Sequence, residues 1–221
     1  MVTFPFLLCF ILLLLVKANG AASKRPRAIV HIGPHKTGTT HVQSVLESDI
    51  ITQGLAKENT YYINRNVYVI PFIRTKLLHL EWAEKTINTT EATAMLQAQF
   101  TQALQLKRTI IISAETFSFV NIEGIMYFKE MLAGFDVTIV GVYREWISRL
   151  ISAHNEIYES VESGFVPFSR FIMTLDDNNY NNANPVRLFN QWMEVFGREN
   201  LVIIDYYGSQ AASQTLEYIL I

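Results

Sequence analysis

The stretch that most constrains this chain is residues 28–46, AIVHIGPHKTGTTHVQSVL. Ala28 to Ile32 is a short apolar run that stops at Gly33 and Pro34, as a buried strand does when it passes into a loop. Beyond the loop, Val42, Val45 and Leu46 recur at three- and four-residue spacing and mark the apolar face of a helix that Thr39 or Thr40 is expected to cap. Strand, glycine-rich turn and helix in that order leave several backbone N–H groups converging at a helix amino terminus, where the helix dipole also favours negative charge. The expectation is a phosphate site. Gly33 and Gly38 admit close approach of a ligand, Lys36 supplies a positive charge, and Thr39 and Thr40 add hydroxyl donors.

The rest of the chain repeats the same grammar. Thr109 to Ile112, Val137 to Tyr143 and Leu201 to Ile204 are continuous, β-branched apolar runs, with a weaker one around Tyr61 to Ile63. Such runs suit parallel strands covered on both faces. Helical stretches are expected at 91–107, 122–133, 145–161 and 185–196, the last opened by Asn184-Pro185 and stopped at Gly197. Alternation of this kind predicts a mostly parallel α/β sheet in three layers. At 221 residues, half of them hydrophobic, the length suits one domain, taken here as 28–221. The Asn-rich segment 176–184 reads as a surface loop.

Residues 1–20 begin with the apolar run MVTFPFLLCFILLLLV and end in small residues, as a secretory signal does; an uncleaved amino-terminal anchor through residues 4–16 is the rival. Residues 21–27, AASKRPR, form a basic connector. A signal predicts a lumenal or secreted protein, and Asn88-Thr89-Thr90 is a matching glycosylation sequon. The single cysteine, Cys9, lies in that leader, which excludes a disulfide framework and a thiol nucleophile from the remainder. A net charge of -2 gives no general attraction to nucleic acid, so an anionic ligand must be held by local clusters. The five histidines form no metal-ligand spacing, and no metal is expected.

In the ATP- and GTP-binding loop the lysine follows the second glycine, whereas here Lys36 precedes Gly38. The order Pro34-His35-Lys36-Thr37-Gly38-Thr39-Thr40 instead resembles the 5′-phosphosulfate loop of the sulfotransferases that use 3′-phosphoadenosine-5′-phosphosulfate. The inserted His35 is more similar to the carbohydrate and bacterial-type branches than to the cytosolic small-molecule branch. The resemblance implies a P-loop-like sulfotransferase fold, that donor as co-substrate, and a second phosphate site made by an arginine at a later strand end and a serine eight residues on. Arg144 and Ser152 fit that pattern, with Glu145-Trp146 where the family usually carries Asp-Pro or Asn-Pro.

Lys36 is then the expected electrostatic catalyst. Glu115, just past the Ile110–Ile112 run, is the expected general base, with His35 and His41 as alternatives. A carbohydrate or other secretory-pathway acceptor in the Golgi is implied. The family usually carries a basic, glycine-containing segment near its carboxyl end, and none is evident before Ile221. Three readings stand open: a sulfotransferase, a nucleotide-binding relative with weak or no activity, and a P-loop kinase.

Overall fold

A computed structural model describes residues 25–34, 36–159, 167–173 and 184–207. The leader, His35, most of the Asn-rich segment and the last fourteen residues, 208–221, lie outside the described residues. Five strands, β1 (Arg27–His31), β2 (Thr60–Tyr62), β3 (Thr109–Ser113), β4 (Asp136–Tyr143) and β5 (Leu201–Asp205), form one sheet in the order β2-β3-β1-β4-β5. Every neighbouring pair is parallel. β1 begins at Arg27, inside the segment that sequence alone assigns to the connector.

Both faces of the sheet are covered, which is why its strands read as apolar runs and not as alternating ones. Ala28, Val30 and Ile32 face a core with Ile110 and Ile112, whereas Ile29 faces a second core with Ile111, Val140 and Val142. The second core is closed by α1 (Thr39–Leu46) and α2 (Asp49–Lys57) through Val42, Leu46 and Leu55. The first is closed by α3 (Thr89–Gln105), α4 (Ile122–Met131) and, past α5 (Trp146–Glu159), by α6 (Pro185–Phe196).

Helix ends follow local chemistry. Asn88 of the sequon caps α3, its side-chain oxygen accepting from the N–H groups of Thr90 and Glu91 at 3.0 and 3.2 Å. Asn184 caps α6 in the same way, Pro185 takes the first helical position, and Gly197 stops the helix at φ 92°. Between β2 and α3 lie consecutive helical turns at Arg65–Val69, Ile70–Phe72 and Ile73–Leu77, the first and last of them wide, π-type turns.

Gly141 shows how closely α6 lies on the sheet. A Cβ added there would stand 2.4 Å from a Phe189 ring carbon. Gly141→Ala should therefore destabilise the protein by ~1–3 kcal/mol through overpacking. The expected reading is a lower urea midpoint with an unchanged denaturant slope.

Candidate functional site

β1 sits at the middle of the sheet; the chain leaves it toward β2 and β3, then crosses to β4 and β5 on its other side. Open α/β sheets gather ligands at the carboxyl edge of such a switch point. There a cavity of about 260 Å³ is lined by Lys36, Gly38, Thr39, Thr40, Glu115, Arg144, Ser152 and Tyr206. Those residues come from the β1–α1 loop and the first turn of α1, the turn after β3, the residue after β4, α5 and the residue after β5. A larger cavity, about 420 Å³, opens at the amino ends of β1 and β4 beside Arg25, Arg27 and Asp136. It contains no helix amino terminus and none of the loop residues.

The loop is built from its carbonyls outward. Thr37 donates its hydroxyl to the Pro34 carbonyl at 2.6 Å, and Thr39 reaches the same oxygen at 3.4 Å. Neither Thr39 nor Thr40 caps α1, contrary to the expectation from sequence. The N-cap is Gly38, in the left-handed region at φ 81°, a conformation that carries no steric cost without a Cβ. No side chain caps the first turn of α1, and Gly38, Thr39 and Thr40 at that turn line the cavity.

Lys36 is itself left-handed, at φ 66°. For a residue with a Cβ this costs ~1–2 kcal/mol, and surrounding contacts must hold it. Arg144 supplies one such contact: its Nη1 donates to the Lys36 carbonyl at 2.7 Å. The same guanidinium donates through Nε and Nη2 to Ser148 Oγ at 3.3 and 3.2 Å and lies 5.1 Å from the centre of the Tyr206 ring. Ser148 also hydrogen-bonds the Tyr207 hydroxyl. Arg144 thus leans on Ser148, while Ser152, one turn further along α5, lines the cavity.

Glu145, a departure from the family pattern, turns out to be the start signal of α5. Its carboxylate accepts from the N–H groups of Ile147 at 2.9 Å and Ser148 at 2.7 Å, and these bonds hold its pKa below the ordinary value. Glu115 opens a short 3₁₀ turn, Glu115–Phe119. Ser118 Oγ donates to the Glu115 carbonyl at 2.7 Å, and Phe117 is fully buried against Phe128 and Trp192 at ring separations of 4.9 and 5.6 Å. Aromatic packing therefore fixes the backbone that presents the Glu115 carboxylate. His41 is exposed and does not line the cavity, and His35 lies outside the described residues. Among the described residues no group of three His, Cys, Asp or Glu side chains could hold a metal ion, and no helix is long and apolar enough to cross a membrane.

Sequence reasoning missed the polar cluster behind the loop. His31 is fully buried, its Nδ1 lies 2.8 Å from Ser113 Oγ, and Gln43 of α1 donates to the same serine. The readable signal was His31 and Ser113 each closing an otherwise apolar strand. Burial pushes the His31 pKa down from 6.5 to about 4. Between those values the unfolded chain binds a proton that the folded chain refuses. This contribution to stability is complete above the unfolded value and is lost as pH falls toward the folded one, by up to about 1.4 kcal/mol per pH unit. The urea midpoint should fall between about pH 6.5 and about pH 4, and His31→Asn should flatten that decline.

No family model and no curated protein matches the chain. Among solved structures, a sulfotransferase from Alicyclobacillus acidocaldarius aligns over 86% of this chain and 76% of its own, with 17% identity and a TM-score of 0.49. A structure from work on the PezAT chromosomal toxin-antitoxin system of Streptococcus pneumoniae aligns over 99% of this chain and 81% of its own, with 14% identity and a TM-score of 0.42. The chain is an α/β protein whose parallel sheet gathers a glycine loop, two cations and a carboxylate at one carboxyl edge.

Proposed function

We propose that this chain is a sulfotransferase that binds 3′-phosphoadenosine-5′-phosphosulfate and passes its sulfuryl group to a hydroxyl or amine. The observation that carries the reading is the meeting of Lys36, Thr39 and Thr40 with Arg144, Ser152 and Glu115 on one cavity. These residues are up to 116 positions apart in sequence (Lys36 to Ser152), and a surface turn with incidental threonines has no reason to assemble them. The donor set suits two phosphate-type groups: uncapped helix N–H groups and Lys36 for one, the planar guanidinium of Arg144 with Ser152 for the other. At about 260 Å³ the cavity is just below the ~300–1,000 Å³ usual for small-molecule sites, which suits the charged part of a nucleotide with its base extending along Tyr206.

In the proposed reaction the acceptor oxygen or nitrogen bonds to sulfur as the bond from sulfur to the 5′-phosphate oxygen breaks. The acceptor proton passes to Glu115, and adenosine 3′,5′-bisphosphate is released. Lys36 and the first turn of α1 stabilise the charge that builds on the bridging and equatorial oxygens, so positioning and electrostatics supply the rate. The apolar leader supports a carbohydrate or other secretory-pathway acceptor, with the enzyme in the Golgi lumen or on its membrane.

The test is transfer of radiolabelled sulfate from the donor to a panel of glycans. The chain should label at least one, and Glu115→Gln should slow transfer by ~10²-fold or more while leaving affinity for the bisphosphate within about threefold. Full turnover in Glu115→Gln would remove the base assignment. No labelled product on any acceptor would remove the transferase reading.

A further inference from the structure

The phosphate loop is flanked by β1 on one side and α1 on the other, and both flanks end on the same side chain. His31, the last residue of β1, is in direct register with Ser113, the last residue of β3. Its Nδ1 lies 2.8 Å from Ser113 Oγ. Gln43, one turn into α1 from Thr39, donates its amide nitrogen to Ser113 Oγ at 3.3 Å and to the Ser113 carbonyl at 3.2 Å. The Gln43 oxygen accepts from Arg65 Nη1, and Arg65 Nε lies 3.6 Å from Glu47 at the end of α1. His31, Gln43 and Ser113 are all fully buried.

Arg65 gives to Gln43 and Gln43 gives to Ser113, whose Oγ keeps a hydroxyl hydrogen and a second lone pair for His31 Nδ1. Burial holds the imidazole neutral, and its Nε2 has no hydrogen-bond partner among the described residues. An apolar trio would fill this space without stranding a buried ring nitrogen, which normally carries a cost. The polar trio has a geometric consequence that an apolar one lacks: it fixes direction as well as distance. Ser113 stands two residues before Glu115, so the residue that receives both flanks of the loop is joined through Ala114 to the turn that carries the carboxylate.

We propose that Ser113, held between His31 and Gln43, is a positioning residue that sets the phosphate loop against Glu115. It touches no ligand and acts through the two flanks. The affinity readout below rests on the nucleotide reading of the site; the exchange readout does not.

The experiment compares the full chain with Ser113→Ala, His31→Leu and His31→Asn. Asparagine offers an amide oxygen or nitrogen near where Nδ1 lies, whereas leucine fills the space with no polar partner for Ser113. Affinity for adenosine 3′,5′-bisphosphate is measured by calorimetry, and amide hydrogen exchange across residues 36–46 is measured without ligand. Ser113→Ala and His31→Leu should each weaken binding by ~10-fold and speed exchange across 36–46 by a similar factor, with β4 and β5 unchanged. His31→Asn should stay within about threefold of the parent in both. Should His31→Leu fail to fold, Ser113→Ala removes only one oxygen and carries the same comparison. Equal behaviour of the leucine and asparagine variants, or parent-like exchange in Ser113→Ala, would overturn the proposal. A parent chain that ignores the bisphosphate while the exchange pattern holds would sink the nucleotide reading and leave Ser113 as the anchor.

Discussion

Lys36→Ala should lower sulfuryl transfer by ~10²–10³-fold, the usual consequence of removing one preorganised charge-stabilising group from a site where charge develops. The substitution keeps the backbone contact that braces the loop. Arg144 holds the Lys36 carbonyl, and alanine retains that carbonyl. The left-handed backbone at φ 66° costs alanine about what it costs lysine, so the fold of the loop survives. The loss then reports the side chain and not the backbone turn. Thermal unfolding of the variant should match the parent, and transfer measured at saturating donor should still fall. An undiminished rate would exclude Lys36 from the chemistry.

Arg144→Ala should strike twice, weakening bisphosphate binding by roughly 10²-fold, or about 2–3 kcal/mol. One guanidinium lines the cavity, braces the Lys36 carbonyl, leans on Ser148 Oγ and stacks over Tyr206. In the proposed site its removal takes away a hydrogen-bond donor to phosphate, and it loosens the strained residue beside it. Arg144→Lys should rescue little, since an ammonium is a point donor and does not reproduce the planar fork. Because Lys36 and Arg144 share a contact, the double variant should lose less affinity than the two single losses summed. Strict additivity in calorimetry would mean that the Arg144–Lys36 contact does not support binding.

The larger features were legible because they are local. Each continuous apolar run became a parallel strand, and Asn184-Pro185 and Gly197 began and ended α6 at the expected places. Arg144, Ser152 and Glu115 could be placed at strand ends and along a helix from spacing and resemblance, and they do face one cavity with the loop. What escaped depended on partners far away in sequence or on competition between local caps. Thr39 was a reasonable cap until the Pro34 carbonyl drew its hydroxyl inward and left Gly38 to turn the chain. Ser148 and Ser152 share a face, and only the fold shows that Ser148 receives Arg144 while Ser152 meets the cavity. Val69, Phe72, Ile73 and Leu77 have helical spacing and are buried, but Pro71, with no N–H to give, sits between the two widened turns and masks the pattern. The His31–Ser113–Gln43 cluster joins positions 82 and 70 residues apart, a coincidence visible only once β1 and β3 lie in register.

The central claim is that this loop, with its lysine before the glycine and Arg144 opposite, is built for a 3′-phosphorylated adenosine nucleotide. Calorimetry of the full chain against adenosine 3′,5′-bisphosphate, and separately against ATP with Mg²⁺, tests it most directly. Micromolar binding of the bisphosphate without added metal is expected, weakened by roughly 10²-fold in Arg144→Ala and weakened also in Lys36→Ala. Tighter binding of ATP with Mg²⁺ than of the bisphosphate would contradict it.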